Sequence, residues 1–274
     1  MTGRTAERSL TDDAFLGGAL QILQPKDGYR AGVDAVLLAA AAPVMDGRGQ
    51  RILDVGAGVG VVGLAVARRV ADASVLLVER EAKLAEIARS NIERNGLATR
   101  VCVVVADVSR RLEDLPELEA EAGSFDHVLA NPPYNAEGAG TVSVDALKAA
   151  ANFMPGATLA RWARFMAAMA RPGGTATIIH RADALGEVLT ALAGRFGGTV
   201  AFPLYPRAGK SAIRVLVQGI KGSSAPLELR PGLVLHGEGN KFVAEAEAIL
   251  RHGAALRLAE TERKGSRRNP ARGA

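Results

Sequence analysis

An apolar run that ends in an acid, then glycine at every second position, then a helical run, leaves few folds open. Arg51-Ile52-Leu53-Asp54-Val55 reads as a short buried strand. It runs straight into Gly56-Ala57-Gly58-Val59-Gly60, and residues 61–70 carry a helical pattern. A glycine-rich turn between strand and helix lets backbone approach a ligand closely. Alone the glycines are a weak signal, because Gly58, Gly60 and Gly63 also satisfy dinucleotide-binding spacing. The residues beyond the loop narrow the choice.

The next apolar run, 74–78, ends in Glu79. An acid about 20 residues after such a loop is suited to holding both hydroxyls of a ribose. The bland alternative is a solvated carboxylate at a strand end. Residues 81–96 have helical periodicity and stop at Gly96, a C-cap residue type. A third strand, 100–106, ends at Asp107, and 108–122 reads as a charged helix. A fourth strand, 125–130, delivers Asn131-Pro132-Pro133-Tyr134. Strand, loop or acid, and helix thus alternate in order, the pattern of an α/β fold with a parallel sheet.

Consecutive prolines cannot donate to a sheet ladder, so pairing stops at Asn131. The tetrapeptide suits a specific chemistry. The nitrogen of a planar amine or amide, adenine N6 among them, is a poor nucleophile because its lone pair is delocalised. The Asn131 side-chain oxygen and the Pro132 carbonyl can each accept one N–H bond from such a group. The two bonds favour a pyramidal nitrogen whose lone pair points at an electrophile. The prolines stiffen the corner, so both acceptors are preorganised. Tyr134 can stack on a flat base, a contact worth about 1–3 kcal/mol in single-stranded nucleic-acid sites. The same residues also make ordinary turns.

Elsewhere, 15–23 reads as a short strand or hairpin arm, 24–32 as a turn-rich stretch, and 33–42 as a helix with Asp34 near its positive end. That helix either covers a sheet edge or closes over a cofactor. Residues 135–152 are expected to form a mobile loop over the site. A helix is expected over 154–169, with Trp162, Phe165 and Met169 on a core face. Arg171-Pro172-Gly173-Gly174 is a sharp turn into strand 175–179, and 183–196 is a further helix. Residues 200–204 and 213–219 form a terminal antiparallel pair. The loop between them, Tyr205-Pro206-Arg207-Ala208-Gly209-Lys210-Ser211, is either a phosphate-binding or a solvated hairpin. A short strand near 233–239 and a helix over 242–258 close the ordered chain. The basic tail beyond is expected to be disordered.

At 274 residues the chain can bury one full core with extensions. The net charge of +5 favours a polyanionic partner. Most of that excess sits after residue 260, where Arg263, Lys264, Arg267, Arg268 and Arg272 face only Glu262. Cys102, the single cysteine, is expected to be a small buried hydrophobe. His127, His180, His236 and His252 lack metal-ligand spacing, so no metal is expected. No signal-peptide or membrane-spanning pattern is present, which points to a cytoplasmic setting without membrane contact. Oligomeric state is not legible.

Asp54-x-Gly56-x-Gly58-x-Gly60 resembles the first motif of S-adenosylmethionine-dependent methyltransferases of the Rossmann-like class. Asn131-Pro132-Pro133-Tyr134 is similar to the signature of the small-domain branch of that class. Within it, residues 28–39, 205–210 and 233–236 resemble the bacterial tRNA adenine-N6 methyltransferases that modify the base beside the valine tRNA anticodon. The resemblance covers about residues 11–256. Its Gly-Tyr-Arg-Ala-Gly-Val-Asp segment departs from the Gly-Thr-Asp version of the enterobacterial enzymes. It implies a Rossmann-like, mostly parallel seven-stranded sheet with a terminal antiparallel hairpin. It implies four parts: an N-terminal extension and capping helix (1–50), the methyltransferase domain (51–220), a C-terminal strand and helix (221–258) and a basic tail (259–274).

The resemblance further implies S-adenosyl-L-methionine as cofactor. Tyr29, Asp34, Asp54, Gly56, Gly58, Gly60, Glu79, Asp107 and Asn131 would bind it. Asn131, Pro132 and Tyr134 would be catalytic. Pro133, Tyr134, Arg207 and Lys210 would meet the substrate, an RNA and specifically a tRNA. Other acceptors compatible with the residues are an rRNA, a protein glutamine amide or a small molecule. The non-enzymatic alternative is an RNA-binding scaffold. Only about 50 residues precede the glycine loop here, expected to be too few for the helical recognition domain usual in glutamine methyltransferases plus the helix at 33–42.

Overall fold

A computed structural model describes residues 10–27, 30–43, 49–133 and 159–258. The expectations for Tyr29, Tyr134, the loop 135–152 and the tail 259–274 lie outside these residues. A short hairpin opens the described chain: β1 (Leu10–Phe15) pairs antiparallel with β2 (Leu20–Pro25). The helix α1 (Val33–Ala40) comes next, buried on nearly every side.

Among the described residues the main sheet has nine strands. β3 (Gln50–Val55), β4 (Ala73–Glu79), β5 (Val101–Val105), β6 (Phe125–Ala130) and β7 (Ala170–Arg181) pair in parallel. β9 (Arg214–Lys221) lies antiparallel between β7 and β8 (Phe196–Arg207). These are the seven strands the sequence implies. Two short additions lie parallel on β8: β10 (Glu228–Leu229) and β11 (Leu233–His236). The order is β10-β8-β9-β7-β6-β3-β4-β5.

Helices cover both faces, so the central strands β3 and β6 are mostly buried and apolar rather than alternating, with Asp54, Asp126 and His127 among their buried polar residues. All six residues of β6 are buried. On one face α1, α2 (Val61–Arg69), α3 (Ala82–Arg94) and the C-terminal α7 (Ala244–His252) pack with Ile52, Leu77, Leu129 and Ile179. On the other, α5 (Leu159–Met169) and α6 (Leu185–Leu192) pack Trp162, Met166 and Val188 against Val55, Val128 and Ile178. Trp162, Phe165 and Met169 are core residues, as their spacing indicates.

The structure corrects several expectations. Residues 108–122 are not one helix. They form a 3-10 turn (Leu112–Asp114) and a single helical turn, α4 (Pro116–Glu119). Pro116 has no N–H and its ring clashes with a preceding helical turn, so it can only start a helix. α6 stops at Leu192, and Phe196 already belongs to β8. α7 ends at His252 because Gly253, at φ +66°, reverses the chain. Cys102 is exposed. Its strand, β5, is the outermost in the order, and the neighbouring Val105 is 43% exposed on that edge. Among the described residues no helix is long and apolar enough to cross a membrane.

Candidate active site

β3 is flanked by β4 on one side and β6 on the other, so the chain order reverses between β3 and β6. Ligands in open α/β sheets bind beyond the carboxyl ends of the strands at such a point. The register is specific there. Val55 pairs with Ala130 and Asp54 with Leu129. The next residues along, Gly56 and Asn131, therefore leave adjacent strands side by side, about 4.8 Å apart in the pairing direction.

The loop from Gly56 to Gly60 is built from left-handed residues. Gly56, Gly58 and Gly60 have φ of +68°, +57° and +92°, a region that L side chains rarely adopt. The Gly56 and Ala57 N–H groups both donate to the Val78 carbonyl, at 2.8 and 3.0 Å. Gly60 donates to Ala57 O at 2.9 Å and caps α2. A β-carbon on Gly56 would stand 2.5 Å from Cη2 of Trp162, so the indole packs directly against the loop.

Two buried carboxylates hold the loop. Asp54 is 1% exposed, and its Oδ2 accepts the Gly63 N–H at 3.0 Å, tying β3 to the first turn of α2. Burial pushes Asp54 up to about 7; the Gly63 bond opposes the rise and the charge of Glu79 adds to it. Glu79 ends β4. Its Oε2 accepts the Gly58 N–H at 2.8 Å and its Oε1 the Glu81 N–H at 2.9 Å. Burial raises its carboxyl too, against the pull of those two N–H bonds. Each oxygen of a carboxylate can accept a second bond, so this arrangement leaves acceptor capacity at the strand end. Asp107, two residues past the end of β5, accepts the Ser109 N–H at 2.9 Å and is half-buried at the same edge.

Asn131 and Pro133 are half-buried and Pro132 is buried. Asp34, in the first turn of α1, meets the Arg214 guanidinium at 2.8 Å, which fastens the helix start to the same end of the sheet. Either side of Gly28 and Tyr29 the chain is fastened. Gln24 accepts the Ala31 N–H at 2.8 Å, and Arg30 bonds Asp13 and Thr11, both at 2.6 Å. Arg207 lies three strands from β6, about 14 Å across the sheet. Its guanidinium donates to Gly237 O at 2.6 Å and Asn240 Oδ1 at 2.9 Å, which brackets β8 against the loop after β11. Lys210 is exposed in the turn beyond it.

The structure thus gathers Asp54, Gly56, Gly58, Gly60, Glu79, Asp107, Asn131, Pro132, Pro133 and Asp34 at one sheet edge. It sets Arg207 and Lys210 apart, on the projecting end of β8. Sequence reasoning missed Arg214 and the closeness of Trp162 to Gly56. It also missed Asn91, whose carboxamide reaches the loop; the signal available was an Asn pair four apart on one helix. Among the described residues no group of His, Cys, Asp and Glu could hold a metal ion.

A glycine loop and strand-end acids at the switch point of this sheet order are those of a Rossmann-like methyltransferase fold. The chain belongs to the methyltransferase small-domain family, whose model matches residues 33–157. A crystal structure from Agrobacterium tumefaciens, described as a predicted O-methyltransferase, is 34% identical. It has a TM-score of 0.68, over 82% of this chain and 98% of that one. A tRNA1(Val) (adenine(37)-N6)-methyltransferase of Shewanella sp. strain W3-18-1 is 35% identical over 107 residues, 39% of this chain and 42% of that protein. One of the same name from Shewanella sediminis is 30% identical over 160 residues, 58% of this chain and 63% of that protein. The chain therefore spans less than two-thirds of these curated relatives. A Thermotoga maritima SAM-dependent O-methyltransferase shares the fold, with a TM-score of 0.51 at 18% identity over 73% of this chain and 69% of that one.

Proposed function

We propose that this chain is an S-adenosylmethionine-dependent N-methyltransferase that methylates the exocyclic N6 of an adenine in tRNA. The observation that carries this reading is the pairing of Val55 with Ala130, which sets the Gly56–Gly60 loop beside the Asn131-Pro132 corner. The loop fits the cofactor: it offers backbone without side chains, and Glu79 keeps acceptor capacity for ribose hydroxyls. Asp107, half-buried just past β5, would meet the cofactor's adenine. Asp54 acts beneath the loop through Gly63 rather than by contact.

When bound, the cofactor supplies an electrophilic methyl carbon on a sulfonium. Asn131 Oδ1 and the Pro132 carbonyl accept the two N–H bonds of the target amine and turn its lone pair toward that carbon. Gly56, Gly58, Gly60 and Glu79 would hold the cofactor beside that nitrogen, and the chemistry it would supply is methyl transfer with the sulfur as leaving group. The alkylated amine then loses a proton to water, so no strong base is needed. Positioning supplies most of the rate. Tyr134 would stack on the base, Tyr29 would help close the site, and Lys210 with the β8–β9 end would meet phosphates. The four-part division at residues 50, 220 and 258 remains our proposal for how these roles are shared.

An oxygen acceptor would need a base to take its proton and would leave the paired acceptors without a role. A glutamine amide fits the corner as well as adenine does; the net charge of +5 and the tRNA-modifying relatives favour RNA. Incubation with methyl-labelled cofactor and separate tRNA, rRNA and protein fractions tests the reading. Label in tRNA, recovered as N6-methyladenosine, is expected. Label in protein or on oxygen overturns it.

A further inference from the structure

Among the described residues the N-terminal hairpin has no third strand. In its place stand two carboxamides, Asn91 of α3 and Asn95 at its C-cap. Asn91 accepts the Leu23 N–H at 2.8 Å and donates to the Leu23 carbonyl at 3.0 Å. One turn on, Asn95 accepts the Gln21 N–H at 3.0 Å and donates to the Gln21 carbonyl at 2.9 Å. Residues four apart on a helix rise about 6 Å, and alternate strand residues about 6.7 Å, so the two spacings match along the free edge of β2.

The two differ in their remaining bond. Asn95 donates back to its own helix, at Asn91 O, 2.7 Å away. Asn91, fully buried, donates instead to the Val59 carbonyl at 3.0 Å. That carbonyl shares one rigid peptide plane with the Gly60 N–H, which closes the loop on Ala57 O at 2.9 Å. The plane is therefore held at both ends. One end is held by the loop itself and the other by a side chain that also carries the hairpin.

We propose that Asn91 is a positioning residue for the methyl-donor loop and transmits the place of the N-terminal hairpin to it. This rests on the reading that the Gly56–Gly60 loop binds S-adenosylmethionine. Removing Asn91 frees the Val59–Gly60 plane, whereas removing Asn95 loosens the same hairpin and leaves the plane held.

The test compares Asn91→Ala, Asn95→Ala and Asn91→Asp with the unmodified chain. The readouts are calorimetric cofactor affinity, and melting and amide exchange without cofactor. Asn91→Ala is expected to weaken cofactor binding about tenfold, the scale of one buried hydrogen bond, and to speed exchange of the Gly60 amide. Asn95→Ala is expected to lower the melting temperature while keeping affinity within about twofold. In Asn91→Asp the carboxylate faces two carbonyls, and its protonated form regains one donor. Burial at this position, 0% exposed, raises that carboxyl, so the ratio of its affinity loss to wild type should shrink as pH falls from about 8 to about 5.5. This arm decides the matter if Asn91→Ala does not fold. Unchanged affinity in Asn91→Ala, an equal loss in Asn95→Ala, or a pH-independent ratio overturns the proposal. No binding by the unmodified chain would instead overturn the assignment of the loop.

Discussion

The indole of Trp162 closes the space beside Gly56: a β-carbon there would lie 2.5 Å from Cη2, in a residue at φ +68°. Steric fit and backbone conformation thus both demand glycine. Gly56→Ala is expected to destabilise the fold by about 1–3 kcal/mol and to weaken cofactor binding at least tenfold. Adding Trp162→Phe should return part of that loss, since a smaller ring vacates the contact. A double-mutant cycle read by calorimetry checks the coupling; strict additivity would contradict it.

Asn131 comes directly after the β6 residue that pairs with Val55, beside the loop that Glu79 holds, and its proposed partner is the target amine rather than the cofactor. Asn131→Ala should therefore keep cofactor affinity and lose roughly 100- to 1,000-fold in transfer, the scale of removing one preorganised transition-state partner. Single-turnover transfer alongside a binding titration measures the two separately. A variant that still turns over normally would remove Asn131 from the mechanism.

Asp54 carries a pH signature. Its folded-state value, about 7, lies above the ordinary carboxylate value of 3.8, so the folded state binds the proton more tightly. Its effect on stability therefore worsens as pH rises from about 4 to about 7 and is fully unfavourable above that. Asp54→Asn keeps an acceptor for the Gly63 N–H without the charge. The variant should melt higher than wild type at pH 8, by an amount worth a few kcal/mol, and the gap should close toward pH 4. Melting curves across that range decide it; a gap independent of pH would show that the Asp54 charge is not the cause.

Asp126 offers a contrast at the opposite end of β6. Its carboxylate, with a 6% exposed side chain, joins Arg171 at 2.7 Å and the Arg51 N–H at 2.8 Å. These bonds brace β3, β6 and β7 about 16 Å from the site edge. Arg171 is one-third exposed, so solvent screens part of the pair. Asp126→Ala should lower stability by about 1–3 kcal/mol and leave cofactor affinity unchanged. Denaturant unfolding and the same binding titration check both halves.

Much of this protein was readable along the chain. The glycine loop, the acids at strand ends and the proline corner act through backbone geometry within a few residues. The physics that makes Gly56, Gly58 and Gly60 necessary is local, and so is the halt that Pro132 imposes on β6. Pro116 belongs to the same class; its veto on a helix through 108–122 was legible in the residues. The tertiary structure decided what no local rule reaches. Asp34 meets Arg214 across 180 residues, and Asn91 meets Leu23 across 68. Cys102 sits in an apolar run yet is exposed, because burial depends on which strand ends outermost in the sheet. Short-range sterics choose the elements, whereas the order of strands and the packing of helices choose the neighbours, and the neighbours set what a side chain does.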